Sequence, residues 1–372
     1  MLHILTVIGA RPQIIKAAAI SRAIRTHFSD SIKETIVHTG QHYDENMSQV
    51  FFDELGIPSA NYNLHISSGN REEQIALMVS ALEKLLSKEE PDAIVLYGDT
   101  NSTMAGAVIG AKMNIPIVHI EAGLRSFNTK MPEELNRVYC DRVSRMLFSP
   151  TQTGIDNLLR EKIVNDEKRF VFYCSDVMYD NSLFFSELAE KKSDFLKREK
   201  LGSDTYFLAT IHRDFNADSP ERLISIFNAF GKITSEHKIP IIIPIHPRTR
   251  KQIELIPELK AKISENDLIR IIPPASFLEM IMLEKNAKLV LTDSGGVQKE
   301  AFFFKKPCVI LRPETEWVEL VEIGAAILAD ANSNKIEEAV RTLLQKQIDF
   351  PAIFGDGHAA EFICSKMIGN LK

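Results

Sequence analysis

Cysteine is scarce and scattered. Cys140, Cys174, Cys308 and Cys364 are the only four in 372 residues, and none forms a C-x-x-C pair, so neither a disulfide framework nor a zinc site is suggested and a reducing cytosol fits. Long apolar runs are missing too. No stretch approaches the roughly 18 uninterrupted apolar residues of a membrane span, and the N-terminal run Leu2 to Ile8 is too short for a signal-peptide core. There is no surplus of positive charge: the formal net charge of −6 argues against a protein that coats nucleic acid, and any bound anion must be met locally. Short repeats, low-complexity tracts and nucleic-acid motifs are likewise absent. The dinucleotide fingerprint G-x-G-x-x-G does not occur after the first strand, which disfavours NAD. The expectation is a cytoplasmic enzyme without cofactor or metal, bound neither to membrane nor to nucleic acid.

The composition that remains, 45% hydrophobic and 25% charged, is that of a globular enzyme. A length of 372 residues exceeds what one core usually organises, so two domains are expected. Short apolar runs alternate with amphipathic segments: HILTVI then QIIKAAAISRAI, ETIVHT then ENMSQVFFDEL, AIVLYG then STMAGAVIGAKM, then IPIVHI. This βα rhythm predicts an α/β fold with a parallel sheet covered by helices on both faces. A second series begins near Tyr206 with YFLATI, the helix ERLISIFNAFGKI, and the strands IPIIIPI, LIRII, KLVLT and CVILR. Between the series the pattern lapses, which places a hinge near residues 170 to 175. The resulting domains are 1–172 and 173–355, with a C-terminal helix over 356–372 as a candidate to pack back on the first.

In open parallel sheets ligands bind at the carboxyl ends of strands, so polar residues just after each apolar run matter most. Gly9-Ala10-Arg11-Pro12 follows the first strand, where Arg11 and Lys16 can reach an anion at a helix N-terminus; an ordinary βα turn is the plainer alternative. Asp99 and Glu121 follow two later strands. Asp99 could instead be a cap or turn residue, and Glu121 a partner for Arg125. If their strands are neighbours, the two carboxylates share one site and push each other's pKa values apart, which provides an acid and a base. Glu133 and Glu134 come next, equally readable as first-turn helix residues. In the second series Ser294, Gly295 and Gly296 form a turn that exposes backbone amides to a phosphate. Glu300 lies on the helix that follows, and His212-Arg213 and His246-Pro247-Arg248 sit at strand ends.

Seven segments carry a resemblance: GARPQIIK, HTGQHYDENMS, GDTNSTMAGA, HIEAGLRSFNTKMPEELNR, TIHRDFN, IHPRTR and LTDSGGVQKEAFFFKKPCVILRPETEWVE. In order and spacing the chain resembles the non-hydrolysing UDP-N-acetylglucosamine 2-epimerases. FNTKMPEELNR and TEWVE look closest to the branch acting on UDP-2,3-diacetamido glucuronic acid. The resemblance implies a GT-B type fold, two Rossmann-like domains with parallel sheets and an interdomain cleft. It also implies elimination and re-addition of UDP without a redox cofactor, and a homodimer. It further implies catalytic roles for Asp99, Glu121, Glu133 and His212. Contacts to the UDP-amino sugar fall on Arg11, Lys16, Gln41, His42, Arg137, Arg213, His246, Arg248, Ser294, Gly295, Gly296 and Glu300. The chain departs from the family pattern at Phe215, where many relatives carry Glu, at Trp317, where Arg is frequent, and at Ser175, where Gly is usual. A hydrolysing epimerase, a GT-B glycosyltransferase and a non-catalytic UDP-sugar sensor are the competing readings.

Overall fold

The computed structural model describes residues 1–41, 59–67 and 69–371. The segment ENMSQVFFDEL, read above as a helix, lies outside them, as does His42. The chain divides into two compact units, Met1–Asn181 with Ala352–Lys372, and Ser182–Pro351.

The first unit holds a seven-stranded sheet: β1 (Leu2–Ile8), β2 (Ile32–His38), β3 (Tyr62–Asn63), β4 (Ala93–Tyr97), β5 (Ile117–Ile120), β6 (Met146–Ser149) and β7 (Phe170–Tyr173). Their order is β3-β2-β1-β4-β5-β6-β7, and every pairing is parallel. The central strands β1, apolar apart from His3 and Thr6, and β4 are almost wholly buried, as expected where helices cover both faces. One layer of the core joins Leu5, Val7, Ile94 and Leu96 on the sheet to Met78, Leu82 and Ile109 on the helices Arg71–Glu89 and Asn101–Met113. Both helices have locally encoded starts. Asn70 accepts from the Glu73 amide at 3.0 Å, and Thr100 accepts from that of Thr103 at 3.3 Å. Residues 352–371 return to this unit, and the N–H groups of Ala359 and Ala360 at the start of the last helix are capped by Asp180, at 3.2 and 2.8 Å.

The second unit holds a six-stranded parallel sheet: β8 (Phe207–Thr210), β9 (Ile241–Pro244), β10 (Ile269–Ile272), β11 (Leu289–Thr292), β12 (Cys308–Ile310) and β13 (Ala326–Leu328). The order is β10-β9-β8-β11-β12-β13. Each sheet therefore reverses its winding once, between β1 and β4 in the first unit and between β8 and β11 in the second. Such a reversal leaves a crevice at the strands' carboxyl ends. Gly9, Gly98, His212 and Asp293 all stand at or near these ends. Among the described residues no helix is long and apolar enough to cross a membrane.

Candidate active site

In the first unit the two loops at the switch point, after β1 and β4, are tied together by a residue that no sequence pattern singles out. The buried Gln13 accepts through Oε1 from the amides of Gly9 and Ala10, at 2.9 and 3.1 Å. Through Nε2 it donates to the Tyr97 carbonyl and the Thr103 hydroxyl, both at 3.0 Å. It thus locks the end of β1 to the end of β4. Arg11 is exposed at the start of the helix Arg11–Ala23. Gln41 plays a structural part, since its Oε1 accepts from the Ser102 amide and hydroxyl at 3.1 and 2.8 Å and so holds the first turn of the helix Asn101–Met113.

Parallel pairing of β4 with β5, Tyr97 opposite Ile120, makes Asp99 and Glu121 neighbours. Asp99 does not cap the helix that follows it, because Thr100 does. Its carboxylate pairs with Arg137, at side-chain exposures of 25% and 13%. Its backbone carbonyl accepts from Asn136 Nδ2 at 2.8 Å, and Arg71 in turn steadies the Asn136 amide oxygen at 2.7 Å. Burial pushes the Asp99 pKa above the ordinary aspartate value; Arg137 and Lys16 pull against it, while Glu121 and Glu133 add to it.

Glu121 pairs with Lys16 and not with Arg125, the plainer alternative; exposures are 11% and 12%. Arg125 is committed to Asp141 and Glu161, each at 2.7 Å. Two glycines make this geometry possible. Gly98 has φ 61°, and a Cβ there would stand 3.1 Å from Glu121 Oε2. Gly123 has φ 82°, and a Cβ there would come within 2.3 Å of the Gly154 carbonyl oxygen. Glu121 itself sits in the left-handed region at φ 74°, a conformation that costs a non-glycine residue roughly 1–2 kcal/mol. Strain at a strand end bearing a paired carboxylate is the kind of feature that marks function.

The two glutamates at the start of the helix Pro132–Val143 separate cleanly. Glu134 is buried and accepts from the Ser126 amide and hydroxyl at 2.8 and 2.9 Å and from the Phe127 amide at 3.3 Å. It fastens the preceding loop. Glu133 is exposed and close enough to Asp99 to bear on its charge.

In the second unit the organising residue is Asp293, fully buried at the end of β11. It accepts from the His212 amide at 3.2 Å, the Arg213 amide at 3.1 Å and Asn216 Nδ2 at 3.0 Å, and so sets the loop after β8. His212 is solvent-exposed. Desolvation lowers its pKa, opposed by Asp293 and reinforced by Arg213 and His246. His246 is the N-cap of the helix Pro247–Glu254, accepting from the Arg248 amide at 3.3 Å. Arg248 pairs with Asp214 and Asp218. Phe215, at the position of the missing Glu, lies under the Arg222 guanidinium at 5.3 Å.

The turn Ser294-Gly295-Gly296 follows Asp293 directly and opens the helix Gly295–Phe303. A Cβ on Gly295 would stand 2.1 Å from Glu316 Oε1, so the Glu316 side chain would have to move, whereas Gly296 faces only Ser294 Oγ, at 3.9 Å. Glu300 lies beside the buried Glu284, whose pKa burial and then Glu300 drive well above the ordinary carboxylate value. Trp317 is 4% exposed, with Lys299 Nζ 4.2 Å from its ring centroid. The Arg-to-Trp departure is thus absorbed as packing. Among the described residues no group of three or more His, Cys, Asp and Glu side chains could hold a metal ion, and the four cysteines are buried and unpaired.

Comparison with known proteins bears on all of this. Residues 25–368 match the family model of UDP-N-acetylglucosamine 2-epimerase. A UDP-N-acetylglucosamine 2-epimerase homolog of Methanococcus maripaludis is 49% identical over 96% of this chain and 97% of its own length. The UDP-2,3-diacetamido-2,3-dideoxy-D-glucuronate 2-epimerase of Pseudomonas aeruginosa is 47% identical over 97% and 98%. The crystal structure of the Methanocaldococcus jannaschii UDP-GlcNAc 2-epimerase in complex with UDP-GlcNAc and UDP superimposes with a TM-score of 0.85 at 43% identity, covering 98% and 99%. With two parallel α/β sheets of the GT-B type and full-length likeness to these proteins, the chain belongs to the UDP-N-acetylglucosamine 2-epimerase family.

Proposed function

We propose that the protein inverts C2 of a UDP-amino sugar, interconverting UDP-GlcNAc and UDP-ManNAc or their 2,3-diacetamido uronic acid analogues. The observation that carries this reading is the arrangement at the ends of β4 and β5. Two carboxylates, Asp99 and Glu121, stand side by side, each paired with a cation and each held by a glycine-dependent backbone. The reaction needs a base for the C2 proton, an acid for its return to the opposite face, and a place for a departing diphosphate. In the first half the C2–H bond breaks and the C1–O bond cleaves with its electron pair passing to UDP, leaving a 2-acetamidoglycal. In the second half the UDP oxygen attacks C1 while a proton is delivered to C2 from the other face. No electron is gained or lost, and no redox cofactor is required.

An acetamido group gives the C2 hydrogen no adjacent carbonyl, so departure of UDP leads the proton transfer and phosphate stabilisation dominates the barrier. Asp99, Glu121 and Glu133 are assigned to proton transfer and Lys16 and Arg137 to holding their charges. His212 and Arg213 are assigned to the leaving phosphate, the Ser294-Gly295-Gly296 turn, through the amides of Gly295 and Gly296, to the diphosphate, and Glu300 to the ribose. Arg11, His42, His246 and Arg248 complete the contacts that the family resemblance implies. Support for the uronic acid analogue is the 47% identity to the Pseudomonas aeruginosa enzyme. Homodimeric action in the cytoplasm, supplying surface polysaccharide precursors, belongs to the same reading and rests on the family resemblance alone.

The test is incubation with each UDP-sugar and separation of the products by ion-exchange chromatography. A manno-configured UDP-sugar is expected, and it should vanish in Asp99→Asn and Glu121→Gln. Release of free N-acetylmannosamine with UDP would replace the proposal by the hydrolysing reaction.

A further inference from the structure

We propose that His119 is a positioning residue: a permanently protonated imidazolium, held by Asp141, that fixes the distance between the two carboxylate-bearing turns. The inference rests on the functional reading above only in what those carboxylates do.

His119 is the third residue of β5 and its side chain is fully buried. Its Nε2 stands 2.8 Å from the Gly98 carbonyl oxygen and its Nδ1 2.7 Å from Asp141 Oδ1. A carbonyl oxygen can only accept. Asp141 is likewise an acceptor on its other oxygen, where Oδ2 receives the Gly123 amide at 3.1 Å and Arg125 Nη1 at 2.7 Å. A carboxylate receiving an N–H, a guanidinium and an imidazole is ionised, so both ring nitrogens of His119 must donate and the ring carries a charge. Burial opposes that charge, and Cys140 and Asp141 outweigh it to hold the pKa well above the histidine value. Arg125 closes the chain by a two-pronged bond to Glu161, at 2.7 and 2.9 Å.

The connections matter because of where they end. Gly98 carries the peptide that leads into Asp99, so its carbonyl sets the plane from which the Asp99 side chain departs. Gly123 is two residues beyond Glu121, and its amide sets the exit of the strained turn. One carboxylate, Asp141, thus fixes the Glu121 turn directly and the Asp99 turn through His119. Displacements of about 1 Å in a reacting group can cost on the order of 100-fold in rate, and supports of this type are what hold such groups in place.

The test uses the full-length protein with ¹⁵N-labelled histidine. Ring-nitrogen NMR of the wild type should show both nitrogens of His119 protonated from pH 6 to 9. In Asp141→Asn the amide can donate to Nδ1, so the ring should become neutral while Nε2–H and its bond to Gly98 persist. His119→Gln can serve only one of the two partners. It should lose roughly tenfold or more in kcat per folded molecule, counted by UDP titration, with KM unchanged. A wild-type His119 that is neutral or titrates near its ordinary value overturns the proposal. So does full kcat per folded His119→Gln molecule, which would leave the network a purely structural role. Full activity in Asp99→Asn would instead overturn the catalytic assignment, with the NMR result still deciding the state of His119. Should His119→Gln not fold, the wild-type and Asp141→Asn spectra decide alone.

Discussion

Glu133 and Glu134 are adjacent, chemically identical and opposite in use, so removing one charge at a time separates chemistry from support. Glu134→Gln keeps shape and volume. Its amide oxygen can retain the Ser126 amide and hydroxyl, now without charge assistance, but its NH₂ group must face the Phe127 amide, which is also a donor. Hydrogen bonds to a charged group contribute about 1.5–3 kcal/mol each, and a buried donor left unpaired costs about 1–3 kcal/mol. Loss of the longest bond together with weakening of the other two gives an expected destabilisation of about 2–3 kcal/mol. For a unit of about 200 residues that corresponds to a drop in Tm of roughly 4–12 °C. Glu133 is exposed and accepts no comparable set of bonds, so Glu133→Gln should leave Tm unchanged within about 1 °C while lowering kcat on the order of 100-fold, the scale of general acid–base catalysis. Differential scanning fluorimetry and initial rates at saturating UDP-sugar measure the two effects. A Glu133→Gln variant that melts early with full kcat, beside a Glu134→Gln variant that is stable and inactive, would refute the division drawn from the contacts.

Three further outcomes are expected. Gly123→Ala must place a methyl group 2.3 Å from the Gly154 carbonyl oxygen at a φ of 82°, costing about 2–4 kcal/mol from backbone strain and overpacking; chemical denaturation should show it, and wild-type stability would disprove the contact. His212→Asn should reduce turnover by on the order of 100-fold, as for loss of a positioned electrostatic partner, and a near-wild-type rate would remove His212 from the mechanism. Burial raises the Asp180 pKa to about 6, against the Ala360 and Ala359 amides that it accepts from. A carboxyl whose folded pKa exceeds its unfolded value makes stability fall as pH rises between the two, here from about 4 to about 6, by up to about 3 kcal/mol. Asp180→Asn should flatten that segment of the stability profile, and an unchanged slope would count against the assignment.

Most of the sheet strands are legible in the sequence because parallel strands buried on both faces read as continuous apolar runs, HILTVI and AIVLYG being the clearest. Those that escape notice are short or edge strands. Residues 62–63 form only a two-residue strand, and MLFS and AIL offer too few positions for a period to show. FVFY, in the stretch where the periodic pattern lapses, is a half-exposed edge strand. At the site, the rule that ligands gather at strand ends points to Asp99, Glu121 and His212. It does not reveal Gln13, Asp141 or Asp293, whose partners lie 84, 22 and 81 residues away and become visible only when strand order is known. Asp293 has one local signal, its place directly after KLVLT. The partners of Arg125, Asp141 and Glu161, have none, since Glu121, Glu133 and Glu134 all lie nearer to it in sequence.

The most direct measurement is proton NMR of the purified protein in D₂O with UDP-GlcNAc and, separately, with UDP-2,3-diacetamido glucuronic acid, following C2 and the anomeric signals. Deuterium entering C2 as a manno-configured UDP-sugar accumulates in one of the tubes is the expected result. A C2 proton retained in both tubes, with the sugars unchanged at saturating concentration, would contradict the account.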